Sequence, residues 1–531
     1  MFDFQRYPYP SRRHVYLAKN GMVLTSQPLA SQAGLSVLQK GGNAVDAALA
    51  AAAALTVVEP TSCGIGGDSF AIIWKDCKLY ALNSSGFAPS NINLELLNKK
   101  GFKKMPRFGF ESITVPGVVW GWGELSSKFG RLSLSEVFAP AIDLARYGYP
   151  VSPLISRLWE NFYNLISEQK GDEFRYWFEN FAKDGAPKPA SIFKNENLAR
   201  TLEELAITNC KSFYDGLIAE KIVSFFKKHN GYITEIELKD FKGEWVEPIK
   251  IDYHGYDIWE LPPNGQGIVV LMALNILKRF EISRKDSLYF HRCIEALKLS
   301  FEDALSYVGD IKYMNKEVSE FLSEEYGLNK SRIISDRAFL PKTQSAYCGN
   351  TVYLCTADGD GNMVSYIQSN YMGFGSGIVI DDTAIAMHNR GANFVLEENH
   401  PNCIAPRKRP YHTIIPGFIT RDNIAVGPFG LMGAFMQPQG HVQVLANMIN
   451  FLDNPQAALD APRFQWLGGK KVLVESGIDK SIIDDLLKMG HDIEVTTDSI
   501  SFGRGQIIVR LDNKVLVGGS EPRADGYGAC Y

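Results

Sequence analysis

The pentad Gly349-Asn350-Thr351-Val352-Tyr353 puts a hydroxyl at the opening of an apolar, β-branched run. The residues before it are polar. Ser331, Ser335, Pro341, Thr343 and Ser345 mark 312–345 as an exposed connecting segment. A threonine is a nucleophile only where a base can take its proton; read on its own, Thr351 is simply the start of a strand. His412 and His441 could each be a catalytic base, although a histidine without a local partner is more often structural. Other chemistries find no motif. Gly64-Ile-Gly66-Gly67 runs into a strand-like stretch, whereas a bound pyrophosphate wants a helix N-terminus. GGNAVDA lacks the Lys-Ser/Thr of a phosphate loop, and there is no GxSxG elbow. The eight cysteines form no CxxC pair, and no two histidines stand at local metal-ligand spacing. Neither a zinc site built on a local motif nor a cofactor is expected, and the thiols read as free.

The elements that must position such a residue are legible in part. LASQAGLSVLQK is amphipathic and is stopped by Gly41-Gly42. Asn43 suits an N-cap for AVDAALAAAAALTVV, whose small side chains fit a tightly packed core and which Glu59-Pro60 closes. A strand ending at Trp74 follows, then KLYALNSS as a second. Residues 118–230 read as mainly helical, with 168–195 as a surface excursion, and 286–308 as a helix. From 351 the pattern turns β-rich: TVYLCTA, NMVSYIQ and GIVIDDTAIAM. GHVQVLANMINFL and KSIIDDLLKMG are helical, and GQIIVRL and KVLVGG are closing strands. Layers of both kinds around one core are expected.

With 531 residues, 45% of them hydrophobic, the chain can bury a large core without a disulfide or metal staple. A net charge of −4 argues against a nucleic-acid partner. The N-terminus lacks an apolar leader core, and the most apolar run, 47–58, is too short to span a bilayer. The expectation is therefore a cytoplasmic protein without a membrane partner.

GGNAVDAALAAAAALTVVEPTSCGIGGDSF closely resembles the glycine-rich N-terminal signature of γ-glutamyltranspeptidases. The likeness continues through VPG (115–117), PPNGQG (262–267) and the helix containing Glu295-Ala296. It returns in DGDGNMVS (358–365), GFGSGIV (373–379), RKRPYHT (407–413), APRF (461–464) and GGSEPRADG (518–526). The resemblance implies an N-terminal-nucleophile hydrolase: a four-layer αββα sandwich, one intertwined domain, made as a precursor that cuts itself. It places the cut at Asn350–Thr351, giving regions 1–350 and 351–531 that stay together as a heterodimer, with a higher homo-oligomer left open. Thr351 aligns with the family's nucleophile, nine residues before Asp360. Ser369 matches a threonine that hydrogen-bonds it, and Gly433-Ala434 matches the Gly-Gly pair of the oxyanion hole.

The substrate grip departs from the family. Ser85 stands where an arginine would bind the γ-glutamyl carboxylate, and Asn393 where an aspartate would bind the α-amino group. His412 and Thr413 replace paired serines, Tyr371 replaces a smaller polar residue, and Arg390 stands where an uncharged side chain is usual. The lid segment between Asn393 and His412 is short, which implies an open cleft. Arg390 and Arg107 stand as candidates for a replacement carboxylate clamp. The function implied is a Thr-dependent amidohydrolase acting on γ-glutamyl or related amide bonds. An acylase of cephalosporin-acylase type and a non-catalytic member of the family are the alternatives.

Overall fold

Alternation along two neighbouring strands decides the layering. In Asn350–Asp358, Val352 and Leu354 pack on one side while Tyr353, Cys355 and Ala357 pack on the other. Met363–Tyr371 repeats the pattern, with Val364 and Tyr366 opposed to Met363 and Ile367. Both faces are apolar, so this sheet is covered on both sides. The computed structural model describes residues 13–342 and 349–531. Among these, two seven-stranded sheets stack face to face. The first runs, edge to edge, Tyr527–Cys530, Gly21–Thr25, Asn350–Asp358, Met363–Tyr371, Asp68–Lys75, Lys78–Ser84 and Glu244–Val246. The second runs Tyr16–Ala18, Leu516–Ser520, Arg504–Arg510, Ile424–Met432, Gly417–Arg421, Tyr256–Glu260 and Ile249–Tyr253. Phe70, Ile72, Tyr353, Met363, Phe418 and Ile508 fill the space between the sheets. Helices Pro28–Gln39 and Ala44–Val58 cover the first sheet, and Gly267–Leu277 and Met436–Ile449 the second. The result is the expected αββα sandwich. Both sheets contain strands from either side of residue 350.

The helix Ala44–Val58 is wholly buried and lies along the Asn350–Asp358 strand. Asn43 caps it in a capping box with Asp46, and Gly41 takes φ +96 just beyond the preceding helix, as read from the sequence. The same helix start fixes the far end of the strand: Ala44 N donates to Asp358 Oδ2 at 2.9 Å, and Thr356 Oγ1 donates to Ala44 O at 2.6 Å. At the near end Asn350 Nδ2 donates to Thr61 O, just past the helix, at 3.2 Å.

Two stretches differ from the sequence reading. Residues 168–195 are no surface excursion: helix Arg175–Phe181 drives Tyr176, Trp177 and Phe181 into the core, with Trp177 and Phe181 against Phe374. The polar residues around it hid an aromatic anchor whose partner is remote in sequence. The connecting segment 312–345 carries two helices, Val318–Leu322 and Glu324–Ser331, and buries Phe321. The N-terminal residues 1–12, on which the expectation of no leader rests, and Thr343, Ser345 and Cys348 lie outside the described residues. The other seven cysteines are free, five of them buried. No helix among the described residues is long and apolar enough to cross a membrane.

Candidate active site

Thr351 sits at an irregularity in its own strand. Asn350 pairs with Tyr371 and Val352 with Gln368, so Thr351 alone faces Ser369 and Asn370 across a β-bulge. Its hydroxyl, which is buried, donates to Ser369 Oγ at 3.0 Å. Ser369 donates in turn to Asn350 O at 2.9 Å and accepts from Tyr371 N at 2.8 Å. One serine thus joins the Thr351 hydroxyl to the carbonyl on the other side of the Asn350–Thr351 bond. Gly67 makes room for it, because a Cβ there would lie 2.6 Å from Ser369 O.

Opposite stands the turn Gly433-Ala434, with φ +135 and +51, opening the helix Met436–Ile449. A helix start concentrates unpaired N–H groups and positive potential, which suits a developing oxyanion. Gln266 braces this turn, donating through Nε2 to Ala434 O at 2.8 Å and to Thr413 O at 2.6 Å. Tyr371 also takes a positive φ, +75, a strained state for a bulky residue. Gly349 lies between Tyr371 and Ala434: a Cβ on it would meet Tyr371 O at 2.8 Å and the Ala434 methyl at 3.1 Å. Gly349 thus stands beside the Gly433-Ala434 turn, and the Thr351 hydroxyl next to it is buried.

The replaced substrate residues gather on one flank. The Arg390 guanidinium stacks over the Tyr371 ring, 4.4 Å from its centroid, and Nη1 donates to Thr413 Oγ1 at 2.7 Å. Tyr371 OH donates to Asn393 Oδ1 at 2.5 Å, and Asn393 Nδ2 donates to Tyr411 O at 3.0 Å. His412 Nε2 donates to Asp68 Oδ2 at 2.9 Å, and His412 Nδ1 accepts from Ile414 N at 3.4 Å. Ser85 is walled in: its hydroxyl donates to Asn83 Oδ1 at 2.7 Å and accepts from Asn264 Nδ2 at 3.3 Å.

The hub of this flank is a residue that sequence reasoning passed over. Asp68, fully buried, also accepts from Gly86 N at 3.1 Å, and its Oδ2 lies 3.2 Å from His388 Nδ1 and 3.8 Å from Arg390 Nε. Burial alone would raise the Asp68 carboxyl, but the imidazoles of His388 and His412 outweigh it and hold the group well below the usual carboxylate range. Burial and then the Arg390 charge push His412 down to about 3, so its ring is neutral. The only sequence signal was an acid within a glycine turn, since its side-chain partners lie 320 and more residues away.

Neither candidate histidine is available as a base. Both nitrogens of His412 are engaged, and so are those of His441. His441 Nε2 accepts from Leu431 N at 3.1 Å, and Nδ1 donates to Glu260 Oε1 at 2.8 Å. His441 supports the strand that leads into the Gly433-Ala434 turn.

A potential metal-ligand set does occur, though not as a local motif: His291, Glu295 and His491 bring ligand atoms within 4.8 Å of one another. Most of their polar atoms already have protein partners. Lys298 Nζ donates to Glu295 Oε1 at 2.7 Å, His291 and His491 share a 2.8 Å contact, and Phe339 N donates to Glu295 Oε2 at 2.8 Å. The cluster pins residues 335–339, upstream of the cut.

Comparison with known proteins agrees with this geometry. The family model for gamma-glutamyltranspeptidase matches residues 30–531. The chain is 35% identical over 520 residues to the glutathione hydrolase-like YwrD proenzyme of Bacillus subtilis, covering 95% of this chain and 97% of that one. It is 32% identical to the oxamate amidohydrolase proenzyme of Klebsiella pneumoniae, covering 97% and 99%. Among solved structures, a cephalosporin acylase from Bacillus halodurans superposes with a TM-score of 0.97 at 51% identity, over 100% of this chain and 99% of that one. A full-length sequence match and a shared fold converge on one assignment: this chain belongs to the γ-glutamyltranspeptidase family.

Proposed function

We propose that Thr351 first cuts its own chain and then serves as the nucleophile of a mature amidohydrolase acting on γ-glutamyl or related amide bonds. The observation that carries this reading is the relay Thr351 Oγ1–Ser369 Oγ–Asn350 O. As Thr351 Oγ1 attacks the Asn350 carbonyl carbon, its proton passes to Ser369, and the Ser369 proton passes to the oxygen that gains charge. The Asn350–N bond then breaks as the proton on that oxygen passes, through Ser369, to the departing nitrogen, leaving an ester on Oγ1 and a free α-amine on Thr351. Water hydrolyses the ester to the Asn350 carboxylate. The new amine, with an ordinary pKa of about 7.7–8.0, is the base that the precursor lacks. On a substrate amide the same oxygen attacks, the Gly433 and Ala434 N–H groups hold the oxyanion, and the amine leaves with a proton. Water then frees the acid from the acyl-enzyme. The relatives include glutathione hydrolase, oxamate amidohydrolase and acylase proenzymes; breaking an amide C–N bond through such an acyl intermediate suits each of these names. The altered grip around Ser85 and Asn393 favours hydrolysis of amides other than γ-glutamyl ones.

Denaturing electrophoresis tests the first step. Wild type is expected as fragments of 350 and 181 residues, Thr351→Ser as a slowly cut chain, and Thr351→Ala as one inactive chain. Continued cleavage in Thr351→Ala would remove Thr351 from the mechanism.

A further inference from the structure

Away from the nucleophile, buried side chains from the two halves of the chain converge. His291 and Glu295 are four residues apart on helix Ser287–Tyr307, so they share one helix face. His491 follows Gly490, whose φ is +94, at the head of the strand Asp492–Thr496. All three are buried, and their ligand atoms lie within 4.8 Å of one another. The hydrogen bonds around them are of two kinds. The outer ones set orientation. Ser335 O lies 2.7 Å from His291 Nε2, and a carbonyl only accepts, so Nε2 carries the proton and Nδ1 turns a lone pair toward the cluster. Phe339 N donates to Glu295 Oε2 at 2.8 Å and leaves Oε1 for the cluster. A carbonyl on the remote ring nitrogen and a donor on the remote carboxylate oxygen are the contacts that aim metal ligands.

The inner contacts are those that an ion replaces. His291 Nδ1 and His491 Nε2 are 2.8 Å apart, and Nε2 is 4.0 Å from Glu295 Oε1. Ligand atoms at about 2.0–2.2 Å around a tetrahedral zinc stand about 3.4 Å from each other, between those two separations. To turn its Nε2 lone pair inward, His491 carries its proton on Nδ1. That atom has no partner among the described residues, so the change breaks only the bond between the rings. Lys298 Nζ, 2.7 Å from Oε1, is the cation that the ion displaces, and Phe339 O at 3.1 Å is a second acceptor that keeps it. Two imidazoles and a carboxylate suit zinc; calcium and magnesium take oxygen ligands. We propose that His291, Glu295 and His491 bind a divalent transition metal, with zinc as the best match, that staples the two halves of the chain. His291 and Glu295 precede the Asn350–Thr351 bond and His491 follows it. The stapling role rests on the cut at that bond; the binding does not.

Zinc chloride alone is the probe. Chelator-stripped wild type, incubated with it and dialysed, should retain about one equivalent by atomic emission, and His491→Ala little or none. Lys298→Met removes the competing cation a few ångströms from the ion and should tighten binding about tenfold or more. Cobalt(II) in wild type should give the visible bands of a tetrahedral ion without the near-ultraviolet thiolate band of a cysteine site; this reads the site even should a variant fail to fold. In the cut protein, zinc at about ten times its dissociation constant should lower the fraction of fragments separated in urea about tenfold, an effect that His491→Ala loses. No retained zinc, equal retention in His491→Ala, a cobalt thiolate band, or fragments that separate alike with and without zinc would overturn the proposal. Failure of the cut itself shows separately, as a single wild-type chain or as cleavage that persists in Thr351→Ala, and zinc retention is then read on the uncut chain.

Discussion

Ser369 joins the two groups that the proposed self-cleavage brings together. Its hydroxyl accepts from Thr351 Oγ1 and donates to Asn350 O, so in that proposal it is both proton acceptor and oxyanion donor. Removing a single oxyanion donor costs about 10²–10³ in rate in well-studied sites. Ser369→Ala should therefore slow appearance of the two fragments by about that factor, whereas Ser369→Thr should process within about tenfold of wild type. A time course on denaturing gels checks this; wild-type processing in Ser369→Ala would show that the relay is idle. At this scale the sequence was readable only where the family resemblance reached. The roles proposed for Thr351, Ser369 and Ala434 come from that resemblance, and the structure brings the three residues together. Asp68 and His388 were missed because a buried contact between residues 320 apart leaves no trace in spacing.

The oxyanion turn shows what an element asks of its residues. Ala434 holds φ +51, a left-handed conformation costing a non-glycine residue about 1–2 kcal/mol. Glycine would relieve that strain but adds unfolded-chain entropy of about 0.4–1 kcal/mol. Ala434→Gly should therefore stabilise the protein by about 0.5–1 kcal/mol and, because the N–H stays, should keep turnover. Chemical denaturation of the two proteins decides the sign, and a destabilised variant would mean that the methyl contributes packing against Gly349 that outweighs the strain. Elements bounded by local signals were legible in the same physical terms: Gly41 stops one helix and Asn43 starts the next. The helix Arg175–Phe181 was not legible. It is held by Trp177 and Phe181 against Phe374 rather than by its own periodicity.

Over the whole molecule, three histidines are kept neutral by burial. His412, His441 and His491 are each pushed down to about 3. In the unfolded chain they titrate near 6.5. Between those values the unfolded state binds more protons, so stability is fully present above about pH 6.5 and is lost as pH falls toward 3. Asp68, whose carboxyl is depressed on folding, adds to the loss below its unfolded value of about 3.9. Urea midpoints should drop steadily from pH 7.5 to pH 5, well before most carboxylates protonate. A flat profile across that range would show that these rings titrate normally in the fold.

The interleaving of the two sheets has a consequence for the order of events in the protein's life. Strands 21–25 and 68–75 flank 350–358 and 363–371, and the second sheet is mixed in the same way. Before the cut, these partners find each other within one molecule, and folding is independent of concentration. Afterwards the same assembly would need two separate chains to meet, each exposing the apolar faces that the other should cover. The cut is therefore a ratchet. It converts a structure that can be regained after unfolding into one that persists only because its parts never come apart, so the mature protein's lifetime is set by its rate of opening rather than by an equilibrium.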